Sequence, residues 1–125
     1  MAKETTGYKK KLGALGEKIA AEYLREKKGY KIIARNYTCP LGELDLVAID
    51  QGTIVFVEVR SGTLPFAGWA EESIGLRKQK KLRQLAYYFL KEKKRETHVA
   101  RFDVVIVIFS VNLAVQEIKL IKDAF

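Results

Sequence analysis

The chain contains few of the residues on which many catalytic sites depend. Its 125 residues include one cysteine, Cys39, and one histidine, His98. A single cysteine excludes an internal disulfide framework and a cysteine-rich zinc site, and it fits a reducing compartment. One thiol and one imidazole also leave little from which a Cys/His nucleophilic site could be built. We therefore interpret both as loop residues.

Long apolar runs and linkers are also missing. No uninterrupted apolar stretch approaches the roughly 20 residues that a membrane helix needs, and the first residues lack the apolar segment of a signal peptide. We therefore expect a cytoplasmic protein with no membrane partner. No Pro/Gly/Ser-rich linker or repeat divides the chain, so residues 1–125 are predicted to form one domain, of which residues 1–8 are flexible.

The chain does carry an excess of positive charge, and this charge is unevenly distributed. The formal net charge is +8; residues 1–37 contribute +6, residues 38–76 contribute −5 and residues 77–101 contribute +8. Basic surface favours polyanions through the release of counterions, although it is also compatible with plain solubility. The segregation favours nucleic acid as a partner, because a protein that cuts a phosphate backbone needs basic surface around a small anionic cation site.

The spacing of apolar residues predicts a mixed α/β protein. Two amphipathic helices are expected at 9–28 and 77–94. Strands are expected at 30–37, on both sides of a turn at 50–52, at 99–109 and at 113–121. The strand at 99–109 is apolar on both faces, so it belongs in the centre of the sheet. The predicted order is α-β-β-β-α-β-β, with helices covering a sheet of about five strands.

The stretch GELDLVAIDQGTIVFVEVR, residues 42–60, places carboxylates in strands that otherwise look buried. If Gln51 and Gly52 form a two-residue turn, Asp45 lies directly opposite Glu58 on one face. Opposed like charges among apolar neighbours are destabilising, and a bound Mg²⁺ would offset the repulsion. The alternative is a structural arrangement in which one acid is protonated or Arg60 pairs with both. A three-residue turn would place the two acids on opposite faces.

Arg60 follows Glu58 by two residues and is therefore expected on the same face. Its guanidinium would hold a phosphate or stabilise charge that develops on one in the transition state. Arg60 cannot act as a base, because a guanidinium stays protonated.

Several stretches together resemble the YraN-like (UPF0102) family of small bacterial proteins. They are GALGEKIAAEYLREKKGYKIIARNY, GELDLVAID, IVFVEVR, RKQKKL, ARFDVVIV and the terminal AF. The pattern of Asp45 followed by Glu58-Val59-Arg60 also resembles the PD-(D/E)XK nuclease superfamily, which includes restriction endonucleases and Holliday junction resolvases. The resemblance implies a restriction-endonuclease-like core and a Mg²⁺- or Mn²⁺-dependent nuclease.

The resemblance also implies roles for individual residues. Asp45 and Glu58 would be metal ligands, with the Val59 carbonyl as a further ligand and Glu17 as the acid of the first helix. Arg60 stands where the superfamily usually has lysine, so catalytic competence depends on this substitution. Glu43 is one step from Asp45 on the same face, and its alternative interpretation is a solvated carboxylate at the start of a strand.

The second helix carries the predicted nucleic-acid contacts. Four residues fall on one flank beside the apolar stripe, where a solvated surface is the alternative: Arg77, Lys81, Gln84 and Tyr88. Gln84 and Tyr88 resemble the QxxxY element of RecB-type nucleases, and Lys78 matches a recurring family lysine that would contact phosphate. Asp103, in an apolar strand, is expected to pair structurally with Arg101 or with the basic helix.

The leading hypothesis is a metal-dependent phosphodiesterase that acts on nucleic acid, in particular on DNA such as branched or repair intermediates. Its rivals are a non-catalytic nucleic-acid-binding protein that retains the fold and a scaffold that binds proteins. Analogy with the resolvases suggests a homodimer.

Overall fold

A computed structural model describes residues 2–65 and 67–125, without the side chains of residues 2–6 and Trp69. Two helices, α1 and α2, and five strands, β1 to β5, follow one another along the chain. Their bounds are α1 Ala2–Lys28, β1 Lys31–Cys39, β2 Gly42–Asp50, β3 Thr53–Thr63, α2 Leu76–Glu92, β4 Ala100–Phe109 and β5 Val115–Ile121. A short 3₁₀ helix, Gly68–Glu71, lies between β3 and α2. The predicted α/β layout and element order are confirmed.

The five strands form one mixed sheet in the order β1-β2-β3-β4-β5. Strands β3 and β4 are parallel and the other neighbours are antiparallel. A parallel pair needs a long crossover connection, which here contains α2. The strand at 99–109 is expected in the centre of the sheet; β4 is an internal strand with a neighbour on each side, and β3 is the middle one.

The helices cover opposite faces of the sheet because neighbouring residues of β3 point in opposite directions. Val55 and Val57 pack in the same cluster as Ala20 and Leu24 of α1. Ile54 and Phe56 pack instead with α2, which contributes its buried residues Leu82, Leu85, Ala86 and Phe89. These four residues recur at helical spacing, so the apolar stripe of α2 meets the sheet.

Several element boundaries differ from the sequence predictions, including those of α1, β1 and β3. Helix α1 begins at Ala2 rather than at residue 9, and its second to eighth residues contain no proline to interrupt it. Flexibility of residues 1–8 stays a prediction, and Met1 lies outside the described residues. The prediction that Cys39 lies in a loop is wrong: it ends β1 and packs beside the α2 cluster. Strand β3 extends to Thr63 because β4 continues to pair with it there.

Asp103 is fully buried and belongs to a polar network at the end of the sheet where β4 begins. Its carboxylate accepts hydrogen bonds from the Tyr30 hydroxyl (2.7 Å), from Arg101 Nε (2.9 Å) and from the Asp123 backbone N–H (3.0 Å). Arg101 also donates to Asp50 at 2.8 Å. The predicted structural pairing of Asp103 with Arg101 is confirmed. His98 lies exposed in the loop before β4, as predicted.

None of the described helices is both long enough and apolar enough to cross a membrane.

Candidate metal centre

The turn between β2 and β3 sets the register on which the site depends. Gln51 and Gly52 both have positive φ, 49° and 86°, as a tight two-residue hairpin turn requires. Asp50 pairs with Thr53, and the ladder continues to Leu46 opposite Val57. The predicted two-residue turn is therefore confirmed, and the ladder ends one step before Asp45 and Glu58, whose side chains are joined by a hydrogen bond.

Asp45 lies where the regular ladder ends. Its Oδ2 accepts a hydrogen bond of 2.9 Å from the backbone N–H of Val59, so a side chain takes the place of a strand carbonyl. Leu44 packs on the α2 side of the sheet and Leu46 on the α1 side, although residues two apart in a strand normally share a face. The alternation thus breaks at Asp45, and its carboxylate can be approached from both faces.

Glu58 approaches Asp45 from the α2 side. Its side chain is 16% exposed, and its Oε2 lies 3.8 Å from Lys78 Nζ. Burial raises the pKa of Glu58 to about 8, with the charge of Asp45 and a hydrogen bond to it acting in the same direction. The positive charges of Lys78 and Arg60 oppose this rise in the pKa of Glu58 but do not cancel it.

Glu17 approaches Asp45 from the α1 side. The helix lies very close to β3 here: a Cβ on Gly16 would be 1.8 Å from Ser61 Oγ. The absence of a side chain on Gly16 permits this approach. The pKa of Glu17 is raised to about 7, mainly by burial and also by the negative charges of Asp45 and Glu43. The structure thus brings Glu17 within 4.8 Å of Asp45, and the role of Glu17 as a metal ligand stays a prediction.

Three carboxylates lie close enough to share one ion. One oxygen from each of Glu17, Glu43 and Asp45 lies within 4.8 Å of the other two. We call these three residues the acid cluster. Glu58 is not a member by this distance, although a hydrogen bond joins it to Asp45. The structure thus brings Glu43 closer to Glu17 and Asp45 than the sequence suggested and places Glu58 beside the cluster.

Asn36 is the residue that sequence reasoning missed. It lies between Arg35 and Tyr37, which pair with Leu46 and Leu44, so it faces Asp45 across the ladder. With its amide nitrogen directed at the acids, it donates to Glu17 Oε2 at 2.7 Å and to Glu43 Oε1 at 3.1 Å. Asn36 has a φ of 51°, in the left-handed region, which asparagine tolerates better than most residues. An asparagine within a predicted strand is therefore the one sequence feature that could have drawn attention to this position.

Arg60 lies on the same side as Glu58, as predicted. It donates through NH1 to the Glu72 carbonyl and lowers the pKa of Glu58 through its charge. Glu58, Arg60 and Lys78 line a cavity of about 320 Å³ at the first turn of α2. Val59 contributes its N–H to Asp45, and the role of its carbonyl as a ligand stays a prediction.

The predicted nucleic-acid contacts on α2 divide into two groups. Lys78 reaches Glu58, and Lys81 lies beside the start of β2, where its Cε is 3.6 Å from the position of a Cβ on Gly42. Gln84 and Tyr88 line a surface depression of about 910 Å³ near Leu41. Arg77 is exposed at the start of the helix. The flank therefore leads from the site towards the β1–β2 turn, and its binding role stays a prediction.

Comparison with known proteins gives a family match over most of the chain. The model of "Uncharacterised protein family UPF0102" matches residues 16–107. A UPF0102 protein of Pelotomaculum thermopropionicum is 48% identical over 117 residues, which cover 94% of this chain and 97% of the relative. The UPF0102 protein of Desulforamulus reducens is 48% identical and covers 93% of this chain and 96% of the relative. That of Caldicellulosiruptor saccharolyticus is 44% identical and covers 94% of this chain and 98% of the relative. Their names state no activity.

Proposed function

The chain belongs to the uncharacterised family UPF0102, and from this premise and the geometry of its acids we propose that it is a metal-dependent nuclease that hydrolyses phosphodiester bonds, with DNA as its substrate. One observation carries the proposal: carboxylates from α1 and β2 converge within 4.8 Å, and a fourth carboxyl from β3 is hydrogen-bonded to one of them. Such convergence of acids is costly unless protons or a cation neutralise it.

The donor set fits a hard divalent cation. Glu17, Glu43 and Asp45 offer only oxygen ligands, which Mg²⁺ and Mn²⁺ prefer over nitrogen or sulphur. The two raised pKa values fit as well, since both acids are held in surroundings that disfavour an unneutralised negative charge. A bound Mg²⁺ or Mn²⁺ would act as a Lewis acid on the phosphate and would lower the pKa of a coordinated water.

Glu58 is suited to move a proton in the reaction. A carboxyl with a pKa of about 8 holds a proton near neutral pH and can exchange it with a group in hydrogen-bond reach. Asp45 is held by the Val59 N–H, so its carboxylate keeps its place while Glu58 changes protonation state. We assign Asp45, Glu17 and Glu43 to ion binding and Glu58 to proton transfer beside them.

Arg60 and Lys78 are assigned to the phosphate. Both line the cavity beside Glu58, and both carry the positive charge that a phosphodiester needs. Arg60 is also tied to the Glu72 carbonyl, so its guanidinium is fixed in orientation rather than free to follow the substrate. This constraint is the observation that favours the second candidate function, a nucleic-acid-binding protein with the same fold and no turnover.

Cleavage assays separate the two candidates. Labelled single-stranded, linear duplex and branched DNA, and RNA as a comparison, are incubated with the protein and Mg²⁺ or Mn²⁺. We expect metal-dependent cleavage that falls at least 100-fold in Asp45→Asn. Glu96→Gln is the matched control, because Glu96 is an exposed acid in the loop after α2.

Binding without cleavage by the wild type would replace the nuclease proposal with the non-catalytic one. Cleavage that persists unchanged in Asp45→Asn would trace the activity to a contaminant or to another site, and it would remove the acid cluster from the proposal.

A further inference from the structure

A second surface, on the same side of the sheet as α1, combines an apolar floor with an excess of cations. It is a groove of about 830 Å³ between α1 and β1. The groove contains one acid, Glu22, and four basic residues. The basic residues are Lys18, Arg25, Lys31 and Arg35. We call this surface the α1–β1 groove. It differs from the basic flank of α2, which lies on the opposite face of the sheet.

One end of the groove adjoins residues of the candidate site in sequence: Lys18 follows Glu17, and Arg35 precedes Asn36. Arg35 pairs with Leu46 on the α1 side of the sheet, and its charge lowers the pKa of Glu17. The hydrogen bond between Asn36 and Glu17 fixes the relative position of β1 and α1 at this end. Lys18 and Arg35 are therefore the first cations that a chain leaving the cluster on this side would meet.

The groove ends near the turn that joins α1 to β1. The Tyr30 N–H donates to the Leu24 carbonyl at 3.0 Å, which fixes the far end where Arg25 and Lys31 lie. The eight helical steps from Glu17 to Arg25 span about 12 Å of helix. At about 3.4 Å per nucleotide along one strand of a duplex, this length corresponds to roughly three to four nucleotides.

The charges of the groove are mostly uncompensated within it. Arg25 makes an exposed contact of 3.4 Å with its neighbour Glu26, which is a weak type of pair. Lys18, Lys31 and Arg35 are exposed, and Glu22 supplies one negative charge against four positive ones. A surface with four positive charges and one negative charge attracts a polyanion. The charges are spread along the groove, which suits an extended ligand.

We propose that the α1–β1 groove binds the phosphate backbone of the nucleic-acid strand that enters the acid cluster. The inference rests on the proposed function and adds to it the path of the substrate: Lys18 and Arg35 contact phosphates next to the cluster, and Arg25 and Lys31 contact those further away. The contacts are to the backbone, so they carry no base specificity.

The test is the salt dependence of binding, measured without cleavage. Fluorescently labelled single-stranded and duplex DNA is titrated with protein in Ca²⁺ at several salt concentrations. The groove variant is Lys18→Gln, Arg25→Gln, Lys31→Gln; Arg35 is kept because it acts on Glu17. The matched control is Lys93→Gln, Lys94→Gln, Arg95→Gln, which removes the same charge in the turn after α2. Thermal melts check that both variants fold.

We expect the slope of log affinity against log salt to fall by about 2 to 3 in the groove variant and to stay unchanged in the control. Equal losses in both variants would show a response to net charge alone and would overturn the inference. So would an unchanged slope in the groove variant, which would leave the flank of α2 as the path.

The proposed function and the inference fail in different ways. A wild type that cleaves DNA while the groove variant keeps its full salt slope retains the function and loses the groove. A wild type with no salt-sensitive affinity for DNA or RNA loses both.

Discussion

The proton on Glu58 links the candidate site to the stability of the fold. Its pKa is raised from 4.5 to about 8, and that of Glu17 from 4.5 to about 7. An acid whose pKa is higher in the folded state binds protons more tightly when folded. Between pH 4.5 and 8 the unfolded chain therefore holds fewer protons than the folded one, and stability falls as pH rises.

The first prediction is therefore a stability that falls with rising pH. In chelator, the free energy of unfolding should be greatest near pH 5 and should decrease towards pH 8, as measured by chemical denaturation at a series of pH values. Millimolar Mn²⁺ should restore more stability at pH 8 than at pH 5, because the metal binds the deprotonated acids.

Asp45→Asn is the control for this pH dependence. It removes a charge that raises both pKa values, so the loss of stability between pH 5 and 8 should become smaller. A wild type whose metal-free stability rises from pH 5 to pH 8 would contradict the assignment of these protons.

Asn36 gives a second prediction at the scale of the residue. Asn36→Gly keeps a residue that tolerates positive φ but removes the amide that donates to Glu17 and Glu43. Loss of a hydrogen bond that orients metal ligands typically lowers metal affinity about 10- to 100-fold. Mn²⁺ titration followed by electron paramagnetic resonance measures it, with Asn112→Gly in the β4–β5 turn as the control.

Equal Mn²⁺ affinities for wild type and Asn36→Gly would show that the amide does not orient the acids.

At the scale of elements, the contact between α1 and β3 positions Glu17. Gly16→Ala would place a Cβ 1.8 Å from Ser61 Oγ and 3.1 Å from Ser61 Cβ, so the hydroxyl must rotate away and the helix or the strand must shift by a few tenths of an ångström. We expect a loss of about 1 to 3 kcal/mol in the free energy of unfolding and weaker Mn²⁺ binding, because the shift moves Glu17 away from Asp45. Denaturation and Mn²⁺ titration measure the two effects.

Gly13 offers a matched control on the same helix. A Cβ there meets no atom within 4 Å, so Gly13→Ala should stabilise the protein by about 0.5 to 1 kcal/mol through helix propensity. Adding Ser61→Ala to Gly16→Ala removes the closest contact and should recover part of the loss. If both glycine variants behaved alike, close packing would not be what positions Glu17.

The sequence was sufficient for the features that depend on local patterns. The two-residue turn at Gln51–Gly52 follows from turn chemistry, and the register of β2 against β3 follows from that turn. The helices follow from apolar spacing. Asp45 and Glu58 could therefore be paired before the fold was known.

The positions of Asn36 and Glu17 in the site depend on contacts of β1 and α1 with other elements, which local sequence patterns do not reveal. Asn36 reaches the acids because β1 pairs with β2 and has a left-handed residue at that point, which no periodicity reveals. Glu17 and Glu58 reach Asp45 from opposite faces because the alternation of β2 breaks at Asp45, whereas the sequence suggested one shared face. The identity of the ion and the nucleic-acid contacts remain predictions.

At the scale of the whole molecule, the acids lie between two basic surfaces. The chain carries a net charge of +8, with the α1–β1 groove on one face of the sheet and the flank of α2 on the other. Under the proposed function, a phosphate backbone drawn to either surface would meet the carboxylates of the acid cluster. Without a cation these carboxylates would repel the backbone, and a bound cation would remove that repulsion.

The last prediction is therefore a coupling between the ion and DNA. Ca²⁺, which takes the same oxygen ligands, should raise the affinity of the wild type for DNA by about 5- to 150-fold over its value in chelator. Asp45→Asn should bind DNA more tightly than the wild type in chelator and should respond less to Ca²⁺. Glu96→Gln changes the net charge by the same amount outside the site, so it should leave both values unchanged.

Linkage makes this coupling reciprocal, which gives an internal check. If Ca²⁺ raises DNA affinity by some factor, saturating DNA must raise Ca²⁺ affinity by the same factor. Fluorescence anisotropy measures the first and calorimetry the second. A protein that binds both Ca²⁺ and DNA could still show equal DNA affinities with and without Ca²⁺. That result would place the acid cluster outside the nucleic-acid binding surface, and the ion bound there would not contact a phosphate.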